Sequence, residues 1–110
     1  MGLVTKEALL ARAKEGRVKA FSVAGLDLYA RRFSLAERIE CGDRARAGDP
    51  VSSHEYLAMA LCNEDGSPYW TLDEAKEFAD ADGLLAEAIV NAALDHAGMT
   101  KAAQELIAKN

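Results

Sequence analysis

Two cysteines, two histidines and one turn crowded with carboxylates are the residues of this chain whose types could do chemistry. Cys41 and Cys62 have no Cys-x-x-Cys spacing, and neither has a neighbouring His to raise a thiolate nucleophile. They read as two buried or half-buried thiols of a reduced, cytoplasmic protein. His54 and His96 stand far apart, outside any His-x-x-x-His or Glu-x-x-His arrangement, so a transition-metal site is not expected. The turn Asn63-Glu64-Asp65-Gly66 invites a calcium loop, but that reading fails on position. With Gly66 as the sixth residue, Leu61 would be the first ligand and Leu72 the twelfth, and neither binds a hard cation. There is no phosphate-cradling glycine loop and no Gly-x-Ser-x-Gly. The sequence offers no argument for catalysis, for a cofactor or for a metal, and the expectation is a protein that is not an enzyme.

The elements that hold these residues follow from periodicity. At 110 residues, 50% apolar and with a formal net charge of −5, the chain is one domain spanning 1–110. That charge argues against a nucleic-acid footprint. Gly83 to Gly98 is the stretch around which the rest is built. Leu85, Ala88, Ile89, Ala92, Ala93 and His96 share one helical face, Leu84, Val90, Leu94 and Ala97 extend the apolar circumference, and Glu87, Asn91 and Asp95 form the polar stripe. Asp82 is its expected cap and Gly98 its left-handed stop. It is too short and too mixed to span a bilayer.

The fold class expected is mainly α (α+β): about five short helices with one small N-terminal β-hairpin. Residues 1–16 hold a helix capped by Thr5, with Ala8, Leu9 and Ala13 on one face and Gly16 at its end. Residues 17–33 alternate, and Ala24-Gly25 separates two strands of a hairpin. Leu26, Leu28 and Ala30 are assigned to one face and Phe21 and Val23 to the other, leaving edges and faces that a neighbouring copy could cover. Residues 34–110 form the helical part. Ser34/Glu37, Ser52/Glu55 and Thr71/Glu74 are three capping boxes. The helix after Ser34, through about Ala47, is expected to be a solvated outer helix whose thin apolar face is Leu35, Ala36 and Ile39, and the one after Ser52 to run to about Leu61 or Cys62. The helix after Thr71 presents Leu72, Ala75, Phe78 and Ala79 to the core. A last helix is expected from Thr100 to Lys109.

Candidates for contact are few. Arg31-Arg32 between Tyr29 and Phe33 is a weak nucleic-acid signal inside an acidic chain. Tyr69-Trp70, an aromatic pair entering a helix from a turn, is the better candidate for a protein interface, with Phe21 and Tyr29 as further protein-interaction candidates.

The order of these signals resembles the tail assembly chaperones of long-tailed bacteriophages, the lambda and HK97 group. The resemblance rests on the hairpin followed by Tyr29-Ala-Arg31-Arg-Phe-Ser34-Leu-Ala-Glu37-Arg38, and on Leu57-Ala-Met-Ala-Leu61-Cys-Asn-Glu-Asp65-Gly66-Ser-Pro68-Tyr69-Trp70-Thr71-Leu-Asp-Glu74. It covers about residues 17–100. The exit His96-Ala97-Gly98-Met99 departs from the Asn-Gly-Leu-like sequence of the family. The resemblance implies a cytoplasmic, non-enzymatic assembly factor, absent from the mature virion. Such a factor binds the tape measure protein, keeps it soluble and helps recruit the tail tube protein, with weak self-association and no nucleic-acid or membrane partner. It also implies a longer, frameshifted form. Ala108-Lys109-Asn110 can be encoded by GCA AAA AAC, which contains the slippery run A AAA AAC. The alternative reading is a small helical adaptor or regulatory protein that binds one protein partner.

Overall fold

Alternation of Val, Phe and polar side chains makes β1 (Val18–Val23) and β2 (Leu26–Arg31) an antiparallel hairpin. The structure, a computed structural model, describes residues 2–99. Its order is α1 (Lys6–Glu15), the hairpin, α2 (Leu35–Arg46), α3 (Ser53–Ala60), a short β3 (Leu61–Cys62), α4 (Leu72–Ala81) and α5 (Gly83–His96). Among the described residues the fold is α+β, with five helices and a three-stranded antiparallel sheet in the order β1-β2-β3. The expected helix from Thr100 to Lys109 lies outside the described residues.

Local chemistry starts the helices where the sequence says it should. Ser34, Ser52 and Thr71 each accept from the backbone N–H three residues on, and Glu37, Glu55 and Glu74 reach back to the cap N–H. Each box satisfies two of the donors a helix start leaves open. Asp82 Oδ1 accepts from the Leu85 N–H at 3.1 Å to start α5, and Gly98, at φ +80°, ends it in the left-handed region. The Ala24-Gly25 turn has both residues at positive φ, +52° and +78°, as a two-residue hairpin of type I′ requires.

α5 packs against α3, α4 and both long strands, so it occupies the centre. Its buried face is Ala86, Ile89, Val90, Ala93 and Ala97, set against Phe21, Ala30 and Leu61 of the sheet and Leu57, Ala60 and Ala75 of the other helices. Burial of Ile89 and Val90 contributes about 1.5–3 kcal/mol each. Alanines at 60, 75, 86 and 93, all nearly or fully buried, let the helices approach closely. Glu87, Asn91 and Asp95 face outward as the stripe expected of them.

Three expectations are corrected. Cross-strand partners share a face, and the register pairs Phe21 with Leu28 and Val23 with Leu26. The apolar residues therefore lie together on the core side, with Ala30, while Ala20, Ser22, Asp27 and Tyr29 lie on the other. Leu61 and Cys62 leave the helix and pair with Ala30 and Tyr29, covering part of the β2 edge. On α2, an outer helix as expected, even the thin face of Leu35, Ala36 and Ile39 is exposed and Cys41 is the buried residue. Leu72 and Leu84, placed inward from periodicity, are exposed as well, and Ala86 takes the inner position on α5.

Candidate protein-binding surface

The segment joining β3 to α4 is built around its own hydrogen bonds. Asp65 accepts from the Ser67 N–H at 2.9 Å and from the Ser67 hydroxyl at 2.6 Å, which holds its carboxyl below the usual range. The Gly66 N–H donates to Asn63 O and the Asn63 N–H to Ser67 O, while Gly66 takes φ +88°. Cys62 and Pro68 then form an isolated antiparallel bridge. The Asp65 carboxylate, one of those that suggested calcium, thus serves the turn, and among the described residues no three His, Cys, Asp or Glu side chains gather as a metal set.

This turn delivers Tyr69 and Trp70 to different environments. The Trp70 indole N–H donates to Leu57 O at 3.2 Å, and its ring lies 5.2 Å from Phe78. Trp70 is half-buried and ties α4 to α3. Tyr69 packs edge-on against Trp70 at 5.3 Å and is 49% exposed, as is Leu72 three residues later. Tyr69 and Leu72 therefore present apolar surface at the entrance of α4, with Trp70 beneath as their support.

The other two candidates lie elsewhere. Phe21 is in the core, its ring 5.2 Å from His96, and offers no side-chain surface to a partner. Tyr29 is half-buried on the opposite face of the sheet, where it lines a shallow depression of about 350 Å³ with Ala20, Ser22 and Asp27. The structure brings Tyr69 and Trp70 together.

Exposed apolar side chains beyond this pair were not singled out as contact residues by their types. Leu9 and Leu10 project from α1, which buries no residue. Leu35 and Ile39 stand four apart on the outer side of α2, a spacing visible in the sequence as the thin apolar face of that helix.

The charged groups around α2 explain why that side is outer. Arg31 donates to both carboxylate oxygens of Glu37, at 2.8 and 2.6 Å, while the same carboxylate accepts from the Ser34 N–H. Those hydrogen bonds, Arg31 first, hold Glu37 down at about 2. Arg44 grips Glu55 in the same two-pronged way, at 2.6 and 3.2 Å, and Glu55 likewise falls to about 2, with the Ser52 hydrogen bonds adding to the effect. Arg38 donates to Gly98 O at 3.3 Å. These polar clamps orient α2 with Cys41 inward. Burial pushes the Cys62 thiol up from its ordinary value. His54 sits in the first turn of α3 beside the Ser52 hydroxyl, and His96 in the last turn of α5.

The chain matches no protein-family model, no curated protein and no solved structure. Among the described residues no helix is long and apolar enough to cross a membrane.

Proposed function

We propose that the protein is a non-enzymatic tail assembly chaperone of a phage or prophage, acting in the host cytoplasm, that binds the tape measure protein, keeps it soluble and helps recruit tail tube subunits. The observation that supports this reading is the exposed apolar surface on an acidic scaffold. Leu9, Leu10, Leu35, Ile39, Tyr69, Leu72 and Leu84 are all open to solvent. Their dispersal suits transient capture of a long, sticky chain better than one fixed interface. The net charge of −5 would keep the complex from aggregating. The motif order along residues 17–100 supplies the family and the partner.

Co-expression with the tape measure protein encoded nearest downstream tests the proposal. A larger soluble fraction of that protein in the presence of the chain, and co-purification of the two, is the expected result. Equal insolubility with and without the chain sinks it. An adaptor with one small partner, the competing reading, instead gives a defined complex with an unrelated protein and no effect on the tape measure protein.

A further inference from the structure

Two adjoining depressions lie between α1 and the sheet, of about 520 and 340 Å³, and they share Ala13 and Arg32. Arg12 and Lys19 line the larger one and Arg17 the smaller. No ion pair among the described residues involves Arg12, Arg17, Lys19 or Arg32. The carboxylates nearby do not answer them: Glu37 is held by Arg31, and Glu15 stands alone against four cations. The C-terminal dipole of α1 accounts for Arg12 in its last turn and for Arg32, whose guanidinium lies against the C-cap Gly16, but not for Lys19 on β1. Gathering these charges costs self-repulsion that an anion would relieve. Leu9, 62% exposed, and Ala13 add an apolar wall.

We propose that this cleft binds an acidic amphipathic helix of a partner protein, with its apolar side on Leu9 and Ala13 and its carboxylates on Arg12, Lys19 and Arg32. The proposal rests on the reading of the chain as a binding factor and names the chemistry of the segment it holds. A nucleic acid fits less well. The nearest aromatic ring, Phe33, is buried, lies under the Arg31 guanidinium and stacks on Tyr56, so no ring is open to a base. From Glu64 to Asp95 the chain has Lys76 as its single Lys or Arg, and that acidic stretch repels a polyanion.

The probe is a fluorescein-labelled amphipathic peptide of about 15 residues, Leu on one face and Glu on the other, titrated against the full chain by anisotropy. Binding is expected, weakened at least about tenfold by the double variant R12E/R32E and by about 1 M salt, where the screening length is roughly 3 Å. Both arginines carry no ion pair, so the variant should fold, and far-UV circular dichroism checks it. Lys19→Glu gives a second, independent reading, and Glu87→Gln, on the outward stripe of α5, should bind as the parent does. Absence of binding, binding indifferent to R12E/R32E, or tighter binding of an oligothymidine than of the peptide overturns the proposal. So does a self-associated chain whose dissociation by R12E/R32E opens the cleft, since its occupant is then a second copy. Peptide binding by a chain that fails to hold a tape measure protein supports the cleft and removes the chaperone reading, whereas holding without peptide binding overturns the cleft alone.

Discussion

Trp70, singled out for contact from its type, is also tied into the fold. An aromatic pair on a turn suggests a binding hot spot, and Trp70 is one half of that pair. Its indole N–H instead closes onto Leu57 O and its ring onto Phe78. Trp70→Ala should therefore destabilise the fold by about 2–4 kcal/mol, read as a lowered urea midpoint. Tyr69→Ala should leave stability within about 0.5 kcal/mol and weaken partner binding. Equal midpoints for the two variants would reverse these assignments. Glu37 and Glu55 carry a second prediction, in pH. Their folded pKa of about 2 lies below the ordinary 4.5, so the unfolded chain takes up their protons first. The stability they contribute is complete above pH 4.5 and drains away as pH falls toward 2. Both pairs are partly solvated, so salt should shrink the effect. Thermal melts of the parent and E37Q/E55Q between pH 6 and pH 2 should converge at the acid end. A constant gap would show that the carboxylates act otherwise.

At the scale of elements, what the sequence discloses is what neighbours in the chain decide. All three capping boxes, the Asp82 cap, the Gly98 stop and both hairpin strands depend on residues within a few positions of one another, and they form as read. Whatever depends on docking was not legible. Leu61-Cys62 follows α3 with no turn residue to announce a strand, and only pairing with β2 makes it one. Leu35 and Ile39 form the apolar face of a helical wheel, yet the Arg31–Glu37 and Arg44–Glu55 clamps set α2 with Cys41 inward instead. Ala24 illustrates the opposite case, a residue type that hid a well-formed turn. An alanine held at φ +52° costs about 1 kcal/mol that asparagine largely avoids. Ala24→Asn, which creates an Asn-Gly turn, should raise the melting temperature, and Ala24→Val should lower it. No difference between the two would mean the turn is not held in this geometry. Ala93, fully buried where α5 meets its neighbours, leaves no room for growth. Ala93→Leu should cost about 1–3 kcal/mol, measured by denaturant unfolding.

On the scale of the whole molecule, packing thins from α5 toward α1. The α5 helix touches α3, α4 and both long strands, whereas α1 buries no side chain. Local opening should follow the same gradient, because exposed backbone hydrogen bonds with few buried contacts open at little cost. Native-state hydrogen exchange should find the amides of Ile89 to Ala93 protected to near the global limit and those of α1 exchanging orders of magnitude faster. Similar protection in α1 would require a contact it does not make here. The candidate partner surfaces lie at α1, the outer side of α2 and the entrance of α4, and Leu84 adds the first turn of α5 to them.

The two thiols turn this gradient into something a chemist can time. Cys62 is 2% exposed, hemmed in by its pairing with Tyr29 and its bridge to Pro68, and its thiol is pushed toward the unreactive protonated form. An alkylating reagent can reach it only in molecules whose β3 segment has come away from the sheet. Its labelling rate, divided by that of an open thiol, is then the fraction of time the segment spends detached. Cys41, buried beneath α2 instead, keeps a separate clock for the helix that carries Leu35 and Ile39. A partner that slows one clock and not the other discloses which side of the molecule it has covered, without a single substitution.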